Sequence, residues 1–128
     1  MNTPNLNAEN LITQNRPVRI GATCVAEIAP NVFVLLVEIE IDVLGQEREE
    51  VLVIRLRPDQ AAALIRLVGR CRVVGPNEIP TSAPGRDVDL ICAFVFDGFA
   101  FLVFDVETNN TDELVLVRVP LCTILRQN

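Results

Sequence analysis

The side chains able to do chemistry in this chain are carboxylates, thiols and guanidiniums, because other common catalytic types are missing. The 128 residues include no His, and all 11 basic residues are Arg. Without His there is no imidazole base, no Ser–His or Cys–His pair and no imidazole metal ligand. Without Lys there is no Schiff-base amine, and no Gly-rich phosphate loop is present. We therefore expect a protein that is not an enzyme and uses no cofactor.

Three carboxylates alternate with apolar residues along one strand-like run. Within residues 32–57 (VFVLLVEIEIDVLGQEREEVLVIRLR) the odd positions 33–43 are all apolar, whereas the even positions change from apolar to Glu38, Glu40 and Asp42. A period of two is typical of a β-strand, whose successive side chains point to opposite faces. We interpret the odd face as core and the acidic half of the even face as solvated. A cation site is the alternative, and we predict no metal.

The same segment predicts a hairpin with a short loop around Gly45. The apolar sets of its two strands must share one face, so odd residues of the first strand oppose even residues of the second. Two registers satisfy this requirement. One sets Glu38 opposite Arg55, and the other sets Glu40 opposite Arg55 and Glu38 opposite Arg57. Either register places opposite charges across the outer face, and each such pair stabilises a sheet by about 0.2–1 kcal/mol.

The four cysteines are Cys24, Cys71, Cys92 and Cys122, and none lies in a C-x-x-C pair. Spacings typical of zinc sites and of thioredoxin-like sites are therefore absent. Three of the four lie inside apolar runs, where a free Cys acts as a small buried hydrophobe. Disulfides within or between subunits are the alternative, and their connectivity does not follow from sequence because four cysteines allow three pairings.

The chain divides into a polar N-terminal arm, residues 1–15, and a single β-rich domain, residues 16–128. The arm contains five Asn, and its apolar anchors are Leu6, Leu11 and Ile12. It is either a disordered tail or an arm that docks on a neighbouring subunit as an added strand.

The first strand of the domain is predicted in residues 16–29, where alternate apolar residues from Val18 to Ile28 share an inner face. After the first hairpin the periodicity becomes that of one short helix, which starts at Pro58 and stops at Gly69. Residues 71–74 are a candidate short strand, and the Pro-rich residues 75–86 are a loop.

A second hairpin is predicted around Asp97-Gly98, a strong signal for a two-residue type I′ turn. This turn pairs Phe96 with Phe99, and the register continues to Ile91 opposite Phe104. Both faces of the hairpin are apolar, so both must be covered.

The last strand is predicted in residues 114–126, with Pro120 marking an edge or a bulge. An apolar edge strand and a Phe-rich hairpin tip are expected association surfaces. The predicted interface residues, besides the anchors of the arm, are Phe94, Phe96, Phe99, Phe101, Val115, Val117 and Val119.

These elements predict a mainly β protein with a minor α component. The expected architecture is an antiparallel β-sandwich or partly open barrel of about seven or eight strands, with one short helix after the third strand. A curved single sheet with the helix packed on it is the alternative.

Net charge and hydropathy limit the classes of partner that we expect for this chain. The net charge of −6 disfavours nucleic acid, which requires a basic surface. No apolar run reaches the roughly 18 residues of a membrane helix. No signal peptide is visible, so we expect synthesis in the cytoplasm, with incorporation into an external assembly as an option.

Half of the residues are hydrophobic, and the mean hydropathy is +0.35. We expect a non-enzymatic, self-assembling structural protein, such as a coat, shell or filament subunit. It associates with itself, as a homo-oligomer or polymer, through apolar β surfaces and the arm. The alternative is a small protein-binding or regulatory module with a distinct protein partner.

Overall fold

The structure, a computed structural model, describes residues 18–121. In chain order the elements are β1 (Val18–Ala29), β2 (Val32–Val43), β3 (Gln46–Leu56), α1 (Pro58–Val68), β4 (Arg72–Val74), a 3₁₀ turn (Pro76–Glu78), β5 (Arg86–Phe96), β6 (Phe99–Thr108) and β7 (Thr111–Pro120). The prediction of a mainly β protein with one helix after the third strand is confirmed. No helix in the described part of the chain is long and apolar enough to cross a membrane.

The strands form two sheets. The three-stranded sheet has the order β1-β2-β3, and the four-stranded sheet has the order β4-β7-β6-β5. All neighbouring strands are antiparallel except β4 and β7, which run parallel. The inner faces of the two sheets enclose the main core, which is lined by Cys24, Ala26, Ile28, Val34, Leu36, Phe101, Val103, Leu114 and Leu116.

The two faces of β2 are the reverse of the prediction. The even residues Val34, Leu36 and Glu38 are all buried in the space between the sheets. The odd residues point to the outer side, where Phe33 and Leu35 pack against the helix. The acidic half of the strand therefore continues a core-facing series, and the expectation that Glu38 lies on a solvated face was wrong.

The first hairpin is tighter than predicted. Val43 pairs with Gln46 across a two-residue turn at Leu44-Gly45, where both residues have positive φ. Odd residues of β2 do oppose even residues of β3, but Glu38 opposes Val51, so both predicted pairings of Glu38 and Glu40 with Arg55 or Arg57 were wrong. Gly45 adopts positive φ readily, whereas a bulky residue such as Leu44 at positive φ is uncommon.

The helix begins and ends where its signals predicted. Pro58 occupies the first turn, and Gly69 ends the helix with a φ of 84° while its N–H bonds the carbonyl of Ile65. Its apolar face, with Ala61 fully buried, covers one end of the outer face of the three-stranded sheet. The remainder of that face lies beyond the reach of the helix.

The segment that follows the helix joins the two sheets along one side of the sandwich. Val25 of β1 donates to the carbonyl of Gly69 at 3.0 Å and accepts from the N–H of Cys71 at 2.8 Å. From Arg72, the residue after Cys71, the same segment pairs with β7 as β4. On the opposite side β3 and β5 are the edge strands of their sheets, and no strand pairing joins them within residues 18–121. The sandwich is therefore joined along one side and open along the other.

The second hairpin matches its predicted register from Phe96–Phe99 to Cys92–Val103. Beyond that point a β-bulge at Ile91 shifts the register, so Leu90 rather than Ile91 lies opposite Phe104. The last strand, β7, lies inside its sheet between β4 and β6, so the edge position predicted from Pro120 was wrong. Pro120 is tolerated because β4 reaches only to Val117, which leaves no partner at the proline for an N–H to bond.

Candidate functional site

The Phe-rich set predicted as an interface lines the end of the inter-sheet core at the Asp97-Gly98 turn. Phe101 is fully buried, while Phe94, Phe96 and Phe99 are half-buried and pack against the main core. The guanidinium of Arg118 lies over the ring of Phe99, 3.7 Å from its centroid, and that of Arg55 lies over Phe96. Both arginines shield the rings from solvent by cation–π contact.

The predicted interface residues of the last strand all lie on β7. Val115 and Val117 are buried, and Val119 is half-buried. Leu6, Leu11, Ile12 and Cys122 lie outside the described residues. Of the other cysteines, Cys24 and Cys71 form a disulfide, and Cys92 is a half-buried free thiol whose pKa is raised by burial.

An uncovered apolar surface lies instead on the outer side of the three-stranded sheet. Ile20 pairs with Ile39, Val18 with Ile41, and Val37 with Leu52, so these side chains share one face. Ile20 is 72% exposed, Val18 53% and Leu52 48%. We call this surface the outer apolar face, and it consists of Val18, Ile20, Val37, Ile39, Ile41, Leu52 and Ile54.

The outer side of the four-stranded sheet carries a second such surface near its open edge. Val95 of β5 is 63% exposed and pairs with Ala100. Next to it Ala93 pairs with Leu102, so the apolar strip is continuous across β5 and β6. We call these four residues the β5 strip. The two surfaces lie on opposite sides of the sandwich, because each is the outer face of a different sheet.

The inner faces carry acidic side chains at the end of the sandwich opposite the Phe-rich end. Strand pairing places Glu40 beside Glu49 in one sheet, and Glu107 beside Asp112 in the other. Carboxylate oxygens approach within 4.8 Å of one another in three overlapping triads, and two of these triads combine residues of both sheets. We call the residues of these triads the carboxylate cluster: Glu38, Glu40, Glu49, Asp105, Glu107 and Asp112.

A β-bulge in β1 makes room for the Glu38 side chain in this cluster. The register shifts between Ile20 and Thr23, so the extra residue of the bulge lies opposite Glu38. The N–H of Ala22 donates to Oε1 of Glu38 at 3.1 Å. A Cβ atom on Gly21 would lie only 2.6 Å from the same oxygen, so the absence of a side chain at Gly21 makes room for the carboxylate. The bulge also turns Val18 and Ile20 to the outer side, which corrects the single inner face predicted for this strand.

Asp105 is the partner of Glu38 from the opposite sheet. It follows Phe101 and Val103 on the inner face of β6 and is 1% exposed, while Glu38 is 0% exposed. Oε2 of Glu38 and both carboxylate oxygens of Asp105 are buried without a hydrogen-bond donor among residues 18–121. Because unpaired buried charges are costly, this pair must hold either a proton or a cation.

The chain matches no protein-family model, no curated protein and no solved structure. Its candidate sites therefore stand on their own geometry.

Burial is the main cause of the raised carboxyl pKa values in the cluster. Desolvation raises the pKa of Glu38 to about 7, although the neighbouring carboxyl group of Asp105 and the hydrogen bond from the N–H of Ala22 oppose the rise. Desolvation also raises the pKa of Asp105 to about 10, helped by its contacts with Asp112 and Glu38. The pKa of Glu49 is raised by the same cause. Near neutral pH the buried pair thus retains a proton, and a hydrogen bond between two carboxyl groups becomes available.

Of the carboxylate cluster, Glu38 and Glu40 were identified as candidate residues from the sequence, whereas Glu49, Asp105, Glu107 and Asp112 were not. A signal was available: Asp105 continues the alternating series Phe99, Phe101, Val103. A carboxylate at the next position of an apolar face points into the core, as Glu38 does after Val34 and Leu36. The contact between the two acids could not be found from these patterns, because it depends on how the two sheets pack.

Gly21→Ala is expected to destabilise the protein by about 1–3 kcal/mol, because the new methyl group must displace a buried carboxylate that has little room to move. The free energy of unfolding from urea titrations measures the effect. Gly75→Ala is the matched control, since a Cβ there meets no atom within 4 Å and φ is −87°. A loss at Gly21 no greater than that at Gly75 would contradict the packing described for Glu38.

Proposed function

We propose that the protein is a non-enzymatic structural subunit that assembles with copies of itself. The observation that supports this proposal is the outer apolar face, which spans all three strands of its sheet. A sheet that is apolar on both sides is stable in water only when both sides are covered. The helix covers the end at Phe33 and Leu35, and the exposed fractions of Ile20 and Leu52 show how much remains open.

The occupant we propose for this face is the same face of a second copy. The face has few charges: the side chains that border it are Arg48 and Glu50, which pair with each other at 3.4 Å. Two copies related by a two-fold axis can therefore pack apolar centre on apolar centre without burying an unpaired charge. The first described residue, Val18, lies at the margin of this face. The proposed role of the predicted arm is to extend the contact to a neighbour.

The β5 strip gives each subunit a second contact on the opposite side of the sandwich. A subunit with one such surface forms closed pairs, whereas two surfaces on opposite sides allow growth into a filament or shell. Among residues 18–121 no other strand pairs with the adjacent edge of β5, whose backbone groups another strand can bond. The expected assembly is therefore larger than a dimer.

Ile20→Lys or Leu52→Lys is expected to abolish assembly at the outer apolar face, because a charge is inserted into a buried contact. Val95→Lys is expected to leave that face intact and to stop growth at dimers. Light scattering coupled to size exclusion reports the mass in multiples of the 14.2 kDa chain. A Lys reduces the net negative charge of the chain, so added repulsion between subunits cannot explain the loss.

Leu67→Lys is the matched control, since Leu67 is 80% exposed on the helix and belongs to neither surface. It should assemble like the wild type. A monomeric wild type at high concentration would falsify the proposal. A monomer that co-purifies with one distinct protein would instead support the alternative, a protein-binding or regulatory module.

A further inference from the structure

The carboxylate cluster brings together six acidic side chains from both sheets. Among residues 18–121, the ion pair of its members with an arginine is that of Glu40 with Arg19, at 3.1 Å. At the centre of the cluster, the buried oxygens of Glu38 and Asp105 have no donor. We propose that the carboxylate cluster is a Ca²⁺ site, in which the ion is held between the two sheets by Glu38 and Asp105.

Two of the triads supply the ion with ligands from both sheets. Glu38, Asp105 and Asp112 bring oxygens within 4.8 Å of one another, which is close enough for one ion to contact all three. Glu49 and Glu107 form a second triad with Asp105, so this carboxylate is common to both. The ligands come from β2, β3, β6 and β7, and the ion would therefore link the two sheets.

The donor set selects a hard cation. All candidate ligands are carboxylate oxygens, the chain has no His, and zinc and copper favour nitrogen and sulfur. Ca²⁺ accepts six to eight oxygens in irregular geometry, and both mono- and bidentate carboxylates serve it. Mg²⁺ requires near-octahedral geometry and usually keeps several waters, so a dense set of carboxylates from four strands favours Ca²⁺.

A β-bulge lies close to the carboxylate cluster on each sheet. The bulge at Gly21 lets Ala22 hold Oε1 of Glu38 and leaves Oε2 free to bind. The bulge at Ile91 lies beside Phe104, the residue before Asp105. Bulges of this kind commonly reorient side chains next to binding sites. The unpartnered, fully buried oxygens distinguish this cluster from the exposed acidic side chains of an ordinary surface.

The test is Ca²⁺ binding to the full chain after removal of divalent ions with a chelator. Equilibrium dialysis against radioactive Ca²⁺ at about pH 7.5 should show saturable binding, since binding needs ionised carboxylates. The midpoint of thermal unfolding should rise with Ca²⁺ concentration, because an ion that binds only the folded state stabilises it. Mg²⁺ at the same concentration should produce a smaller rise.

Asp105→Asn and Asp112→Asn should each weaken Ca²⁺ binding by roughly tenfold or more, because each removes a charged ligand. Asp112 is exposed, so its substitution tests the site even if a change at the buried Asp105 disturbs folding. Glu113→Gln is the matched control: it neighbours Asp112 but pairs with Val106 on the outer side of the sheet, and its binding should equal that of the wild type.

Three results would overturn the proposal: no saturable Ca²⁺ binding by the wild type, equal weakening by Glu113→Gln, or Mg²⁺ binding as tight as that of Ca²⁺. Self-assembly and Ca²⁺ binding are measured separately, so failure of one leaves the other unaffected.

Discussion

Reduction of the Cys24–Cys71 disulfide is expected to lower the free energy of unfolding by about 4 kcal/mol. The bond joins residues that are 47 positions apart in the sequence, and a loop of that length loses much entropy when it is closed in the unfolded chain. The loop contains β2, β3 and the helix, so their unfolded ensemble is restricted. Urea unfolding followed by circular dichroism, with and without a reductant, measures the difference.

Two variants separate this effect from other consequences of reduction. Cys71→Ala should unfold like the reduced wild type and should not respond to the reductant. Cys92→Ala removes a free thiol and should keep the full response. If the wild type unfolds identically with and without the reductant, the stabilising role of the bond is excluded.

The position of this disulfide also has a structural consequence. Cys71 itself donates a backbone hydrogen bond to Val25 and directly precedes β4, in the segment that joins the two sheets. On the opposite side, the described part of the chain has no segment that joins β3 to β5 by strand pairing. The bond therefore reinforces the joined side, and the strands of the open side remain available to partners.

Local signals in the sequence predicted the elements that depend on neighbouring residues. Asp97-Gly98 sets a tight turn because both central residues must adopt positive φ, and the register of five residue pairs follows from it. Pro58 and Gly69 bound the helix for equally local reasons. Each of these outcomes is decided within a few residues, so the sequence pattern was sufficient.

The face of β2 that lies inside could not be predicted in the same way. Both faces of the strand are apolar near Val34 and Leu35, and the choice depends on which one the helix covers and which one meets the other sheet. The acidic residues favoured the wrong choice, because carboxylates are usually solvated. The cluster they form is a tertiary feature, since Asp105 is 67 positions from Glu38 along the chain.

The bulge in β1 is a second feature that the sequence pattern concealed. Alternation from Val18 to Ile28 is unbroken in the sequence, yet the strand changes face at Gly21. A glycine inside a strand is a known signal for a bulge or for close approach of another group. Gly21 is an example of both, since it lies in the bulge and a buried carboxylate approaches it closely. The bulge at Gly21 turns Ile20 to the outer apolar face, and the missing side chain leaves room for Glu38 in the carboxylate cluster.

Without divalent ions, the free energy of unfolding is expected to decrease as pH rises from about 5 to about 8. Glu38 and Asp105 have raised pKa values in the folded protein because they are buried. Between the ordinary carboxyl pKa and these raised values the folded state binds more protons than the unfolded state. Stability is therefore fully present below the ordinary value and is lost as the pair ionises. Each retained proton contributes a slope of about 1.4 kcal/mol per pH unit.

Urea titrations in a chelator across this pH range measure the slope. Asp105→Asn should reduce it and should be more stable than the wild type at the alkaline end, because the amide has the shape of the protonated acid but no charge to bury. Glu113→Gln removes a charge that lies on the outer side beside Arg72, and it should keep the wild-type slope. This control separates the buried pair from the general repulsion of a chain with net charge −6. An equal slope in Asp105→Asn would show that the pair is not the origin of the pH dependence.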